Sequence, residues 1–218
     1  ELMKNVFAEE FDEEEVAMFT GGPEVGSAFS RLPFDHLIFT GAMSVAKHVM
    51  KAAAENLVPV TLELGGKSPV IIGRSADLKL AANNIMAGKT MNAGQICLSP
   101  DYVYLPEESR DEFVEHARSC IARMFPTIKD NPDYTSIVNA HHFERLQGYL
   151  EDASAKGAKL VELNPAAEDF SQQEHRRIPP TLALDTSEDM QLMQDEIFGP
   201  ILPVKQYNDL SEALDHVN

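Results

Sequence analysis

With 218 residues, 44% of them hydrophobic and 24% charged, the chain is long enough to bury one large core or two modest ones. Thirty-five acidic against eighteen basic side chains leave a formal charge of −17, a poor electrostatic match to nucleic acid or to an anionic membrane surface. No apolar run approaches the roughly 20 residues of a membrane span, the opening ELMKNVFAEEF does not resemble a signal peptide, and two cysteines, Cys97 and Cys120, make no disulfide framework, so a reducing, cytoplasmic setting is the default expectation.

In chain order, LMKNVFAEEF has helical spacing, and VAMFT (16–20) is a short apolar run, read as a strand, that stops at Gly21-Gly22. Pro23 suits the first turn of a helix through Leu32. Residues 35–41 read as a strand, 44–57 as a helix with Ser44 as N-cap and Val45, Val49, Ala52 and Ala53 on one face, and 58–64 as a third strand. Strand, helix, strand, helix, strand predicts a parallel sheet with crossover helices. Ligands of such sheets collect at the carboxyl ends of the strands, where TGG, TGA and ELGG lie.

Residues 68–73 read as a further strand, after which Asp77 caps a helix that ends just short of Cys97. A strand at 101–106 leads into an amphipathic helix over 107–124 with Phe113, Val114, Ala117, Cys120, Ile121 and Met124 on one side. A helix near 141–156 and strands near 158–163, 180–184 and 199–207 follow, and Pro203 predicts an edge or a bend for the last of these. Both termini fall within helical patterns, so the sequence reads as part of a longer protein.

Several motifs can be tested for chemistry. GGKS (65–68) fails as a phosphate loop, because Thr61 stands where a Gly is needed and Pro69 continues as strand where a helix should start. GGPEVG (21–26) lacks the two glycines one residue apart of a dinucleotide fingerprint. The histidines offer no zinc spacing, His141 and His142 being adjacent, and neither HExxH nor GxSxG occurs, so no metal is expected. Cys120 shares the apolar stripe of its helix and reads as core. Cys97 instead follows a helix end and a Gly-Gln step, which leaves two readings, a reachable nucleophile or a small buried filler. Glu63, flanked by Leu62 and Leu64 in a strand that reads as buried, is either a general base with a raised pKa or an inward Glu with a satisfied hydrogen bond.

LELGGKSP (62–69) followed by NAGQIC (92–97), with FTGA (39–42) upstream and DEIFGP (195–200) downstream, resembles the signature of the aldehyde dehydrogenase superfamily in order and spacing. ENLVPVTLELGGKSPVII and NAGQICLSPDYVYLP are most similar to its class 3 branch, and there to the coniferyl aldehyde dehydrogenases. The resemblance runs over essentially the whole chain. It implies an α/β fold in which residues 1–64 are the C-terminal part of a Rossmann-like, parallel-sheet NAD(P)-binding domain and residues 65–218 a catalytic thiol domain, both incomplete.

The same resemblance implies roles. Cys97 would add to the aldehyde carbon as a thiohemiacetal, hydride would pass to NAD or NADP, and Glu63 would activate water to hydrolyse the resulting thioester. The backbone N–H of the nucleophile would help to hold the oxyanion. Glu196 would hold the nicotinamide ribose hydroxyls and Phe198 would pack beside the nicotinamide. Gly41 and Ala42 would lie at the turn nearest the pyrophosphate, and Leu64 and Gly65 in the step beside the base. The expected substrate is an aromatic aldehyde such as coniferyl aldehyde, or a medium-chain aliphatic one, which suits the apolar neighbours Ile96 and Leu98; the expected full-length protein is a homodimer.

The chain departs from the family where Ala42 and Met43 replace the Ser or Thr usual after FTG, and where Ala46 replaces a usual Gly. The first cofactor strands, the oxyanion-hole Asn and the Lys for the adenosine ribose are expected upstream of residue 1, so the isolated stretch is expected to bind cofactor weakly or not at all. The alternative is an inactive scaffold or binding fragment of the same fold. A cofactor-free thiol hydrolase built on Cys97 and Glu63 would lack a His partner.

Overall fold

The computed structural model describes residues 2–218. The chain divides between Gly65 and Gly66 into two compact units, taken here in turn.

The first unit contains α1 (Leu2–Glu10), α2 (Pro23–Phe29), β1 (Leu37–Gly41), α3 (Met43–Ala54) and β2 (Val60–Leu64). Pro23 occupies the first turn of α2, where its missing N–H costs nothing. β1 and β2 pair in parallel from Leu37 opposite Val60 to Gly41 opposite Leu64, with α3 as the crossover. Leu37, Val49, Ala53 and Val58 form the core of this unit. Two expectations are corrected. Val16 to Phe19 take no strand conformation: the sheet of this unit consists of β1 and β2, and an apolar run becomes a strand only where a ladder receives it. α3 starts at Met43 behind an Ala42 N-cap rather than at Ser44, and its buried face is Ala46, Val49 and Ala53, which leaves Val45 exposed.

The second unit is larger. It runs through β3 (Pro69–Ile71), α4 (Leu78–Thr90), β4 (Tyr102–Pro106), α5 (Arg110–Met124) and α6 (Ala140–Ala155), then β5 (Lys159–Glu162), β6 (Thr181–Leu184), α7 (Gln191–Gln194), β7 (Ile201–Tyr207) and α8 (Leu210–Val217). Its five strands lie in the order β3-β4-β7-β6-β5, all neighbours parallel except the β5–β6 pair. β4 and β6 are buried along their whole length, as central strands of a covered parallel sheet must be.

Local signals in this unit behave as read. The Asp77 side chain accepts from the Leu80 N–H and starts α4, and Phe113, Val114, Ala117, Cys120 and Ile121 form the buried stripe of α5; Met124, expected on the same side, is instead exposed at the last turn of the helix. Burial pushes the Cys120 thiol pKa up, as befits a packing residue. Pro203 is a second exception. It lies in β7, between β4 and β6, and pairs with Ala183 rather than sitting at an edge. The ladder to β4 begins only at Val204, one residue past the proline, so the missing N–H falls just ahead of that pairing.

Candidate active site

The segment before Cys97 is shaped by backbone geometry. After α4 a 3-10 turn spans Met91–Gly94, and Asn92, Ala93 and Gly94 all adopt left-handed backbone, with φ of 51°, 53° and 74°. Asn and Gly visit this region readily, whereas Ala does so at a cost of about 1 kcal/mol. At Gly94 there is a second constraint. A Cβ there would lie 2.3 Å from the Gly199 carbonyl oxygen and 3.0 Å from that of Lys89.

Gln95 then locks the turn. Its buried side chain donates to the Asn92 carbonyl (3.0 Å) and the Ser136 carbonyl (3.1 Å), and its Oε1 accepts from the Val138 N–H (2.9 Å). The Asn92 side chain donates back to the Gln95 carbonyl at 3.1 Å. Beyond this brace the Ser99 N–H closes a turn onto the Ile96 carbonyl, and Cys97 lies within that turn, exposed as a free thiol. Its carbonyl accepts from Ser68 Oγ at 3.5 Å, and the next residue, Leu98, is 82% exposed. The buried-filler reading of Cys97 is therefore wrong.

The loop that meets Gly94 is the segment from Asp195 to Pro200. It is held from several sides. Lys67 Nζ donates to Asp101 Oδ2 (2.6 Å), to the Leu192 carbonyl (2.9 Å) and to the Asp195 carbonyl (3.0 Å). Asp101 Oδ1 accepts from the Ile197 N–H at 3.0 Å. Arg145 donates to the Ile197 carbonyl at 2.8 Å and to the Glu196 carbonyl at 3.4 Å.

Between these anchors Glu196 is half-buried, and its Oε1 accepts from the Gly66 N–H at 3.2 Å. Burial pushes its pKa up and nearby Asp101 adds to the rise, while the Gly66 N–H, Arg145 and Lys67 pull it back. Phe198, also half-buried, sits at φ 49°, a strained position for an aromatic residue of the kind that recurs at functional sites. At Gly199 a Cβ would come within 2.6 Å of the Leu146 methyl groups, so a side chain there would require Leu146 to shift.

Thus the second unit brings Cys97, Glu196 and Phe198 onto adjoining loops. The first unit gathers the other candidates at the carboxyl end of its strands: Gly41 faces Leu64 across the ladder, and Thr40 faces Glu63. Ala42 follows as the N-cap of α3, with no side chain capping the helix, which leaves its first turn open to an anion. Gly65 ends this unit. Glu63 differs from expectation in being exposed rather than buried, because the alternation along β2 puts Val60, Leu62 and Leu64 on the half-buried face and Thr61 and Glu63 on the other.

Lys67, Asp101, Arg145 and Gln95 escaped the sequence reading. Lys67 lies inside LELGGKSP and Gln95 inside NAGQIC, but neither motif indicates the bonds these side chains make, and Asp101 and Arg145 have no local signature for their distant partners. Among the described residues no group of His, Cys, Asp and Glu is arranged to hold a metal ion, and no helix is long and apolar enough to cross a membrane.

A thiol on a braced turn, packed against a loop that presents a half-buried carboxylate, on a largely parallel sheet, defines a thiol-bearing α/β protein. The chain belongs to the aldehyde dehydrogenase family, whose sequence profile matches residues 1–218. It is 65% identical over 218 residues to a protein named "Probable coniferyl aldehyde dehydrogenase" from Caulobacter vibrioides and 56% identical over 217 residues to a coniferyl aldehyde dehydrogenase from a Pseudomonas species. All of this chain but only 45% of each of those proteins is covered, so the chain spans less than half the length of these relatives. Among solved structures, a substrate-bound Staphylococcus aureus AldH superposes with a TM-score of 0.89 at 38% identity, covering 99% of this chain and 46% of that one. Betaine aldehyde dehydrogenase of the same organism, in complex with NAD+, gives a TM-score of 0.80 at 28% identity over 93% of this chain and 41% of that one. The mixed α/β fold with parallel sheets is the one its structural neighbours have.

Proposed function

We propose that this chain, within a protein of its relatives' length, oxidises an aldehyde to the carboxylic acid with NAD or NADP, with Cys97 as nucleophile and Glu63 as base. The observation that carries this reading is the exposed Cys97 thiol on a turn fixed, through Gly94 and Gly199, to the loop of Glu196 and Phe198. Names of the relatives favour an aromatic aldehyde of the coniferyl type, and Ile96 and Leu98 supply apolar neighbours for it.

In this reading residues 1–64 belong to the cofactor-binding domain and residues 65–218 to the thiol domain. The residues present suit NAD(P): Gly41 and Ala42 lead into the uncapped α3 for a phosphate, Glu196 is an acceptor for ribose hydroxyls, and Phe198 is a flat apolar wall, with Leu64 and Gly65 beside the base. When bound, the nicotinamide supplies the acceptor for hydride. The NAD+ complex of the related betaine aldehyde dehydrogenase supports this choice. By resemblance, the full-length protein is a cytoplasmic homodimer.

The Cys97 thiolate forms a C–S bond to the carbonyl carbon, and the backbone N–H of Cys97 helps to hold the resulting oxyanion. Loss of hydride from that carbon leaves a thioester on Cys97. Glu63 takes a proton from water as the water oxygen bonds to the thioester carbon, the C–S bond breaks, and the carboxylic acid and the Cys97 thiolate are released, the acid then giving its proton to solvent. An exposed Glu63 has the access to water that this step requires.

The test is NAD(P)H formation by the full-length protein with coniferyl aldehyde. Cys97→Ala is expected to abolish it, and Glu63→Gln to leave a rapid first turnover followed by a stall. Normal steady-state turnover by Cys97→Ala would overturn the assignment.

A further inference from the structure

Glu196 is held on both sides by one part-buried ion pair. Its predecessor, Asp195, gives its carbonyl to Lys67 Nζ, and its successor, Ile197, gives its N–H to Asp101 Oδ1. Lys67 and Asp101 close this arrangement at 2.6 Å, with the Asp101 side chain only 3% exposed and that of Lys67 22% exposed. A third Lys67 bond, to the Leu192 carbonyl, fixes the ammonium against the end of α7. The Gly66 N–H that bonds the Glu196 carboxylate belongs to the residue before Lys67. The same stretch reaches the thiol turn, through Ser68 Oγ to the Cys97 carbonyl and through the Asp101 N–H to the Ser68 carbonyl.

We infer that Asp101, paired with Lys67, is a positioning residue that aims the Glu196 carboxylate at the cofactor ribose. This rests on the proposed role of Glu196. Both Asp101 oxygens are engaged in the clamp, one as a charge-assisted acceptor from an ammonium and one as the acceptor for a backbone N–H. An Asn at this position retains an oxygen for Ile197 but presents an amide to Lys67, which leaves that ammonium without its counter-charge. The Asp195 carbonyl then loses its fixed donor, and Glu196 loses the anchor on one flank. The thiol turn, braced separately by Gln95, keeps its geometry.

The experiment compares the full-length wild type with Asp101→Asn and with the paired variant Lys67→Met/Asp101→Leu, which removes the pair without stranding a charge. NAD and NADP binding are titrated by calorimetry, and Cys97 reactivity is followed by alkylation with iodoacetamide. Both variants are expected to bind the preferred cofactor roughly ten- to a hundredfold more weakly, the loss appropriate to a charge-assisted hydrogen bond, with an unchanged alkylation rate. Wild-type affinity in either variant overturns the positioning role, as does a loss of thiol reactivity in step with the loss of cofactor, which would mark a general collapse of the site. A wild type that binds neither cofactor overturns the cofactor reading itself, an outcome distinct from a variant that matches a binding-competent parent.

Discussion

Gly94 and Gly199 meet backbone to backbone: the position a Cβ would take on Gly94 is 2.3 Å from the Gly199 carbonyl oxygen. This contact joins the turn that carries the thiol to the loop that carries Glu196 and Phe198, two segments far apart in the chain. It also explains why the approach to Cys97 contains a glycine. The residue must combine a left-handed backbone with a surface that has no side chain, and glycine alone does both.

Gly94→Ala is therefore expected to destabilise the full-length protein by about 3 kcal/mol or more, about 1 of it from the left-handed backbone and the rest from displacing a carbonyl that cannot swing away. Activity should fall with it, since the displaced carbonyl belongs to the loop of Glu196 and Phe198, to which the proposed function assigns the cofactor. Gly148→Ala is the control. It lies in α6 with nothing within 4 Å of the added methyl, and should stabilise by roughly 0.5–1 kcal/mol. Chemical denaturation of the pair checks both signs, and equal effects would contradict the contact.

Gln95→Glu tests the brace. The substitution keeps an acceptor for the Val138 N–H but turns a donor amide, bonded to the Asn92 and Ser136 carbonyls, into a carboxylate facing two carbonyl oxygens. The expected cost is about 2–4 kcal/mol, from two lost hydrogen bonds and a buried charge facing like dipoles. The orientation of Cys97 should loosen, read as a changed rate of iodoacetamide alkylation. Gln95→Leu, which removes the bonds without adding charge, should fall between the Glu variant and the wild type in stability.

What could be read in advance divides along the range of the forces involved. The α5 stripe and the Asp77 cap depend on neighbours within a turn or two, and both were legible. The central place of Pro203 was not, because strand order is settled by which distant strands β7 joins, and a proline is tolerated wherever the pairing on its N–H side has yet to begin. Glu63 is instructive in the other direction. The alternation Val60, Thr61, Leu62, Glu63, Leu64 already indicates a strand with one covered face and Glu63 on the other, so its exposure was there to be read. The motifs around Cys97 and Glu196 lie in segments that the fold sets against each other at Gly94 and Gly199, yet the partnership of the charges beside them, Lys67 and Asp101, exists only once the fold brings the two together.

Lys89 carries the last prediction. It stands near the end of α4, wholly buried, and among the described residues its Nζ has no hydrogen-bond partner. Burial brings its pKa from 10.5 down to about 8, with Asp101 and Glu196 opposing the fall and Lys67 adding to it. Below pH 8 the folded and unfolded states both hold the proton, and the folded state bears the full penalty of a charge out of water. Between pH 8 and 10.5 the unfolded chain still binds the proton that the folded chain has released, so this residue's contribution to stability rises with pH. Lys89→Met keeps most of the stem and removes the charge. It should stabilise the full-length protein by about 3 kcal/mol at pH 7, a gain that shrinks progressively as the pH is raised toward 10. Denaturant titrations of both proteins across that interval measure the difference, and a gap that stays constant with pH would show that the Lys89 ammonium has the partner its surroundings lack.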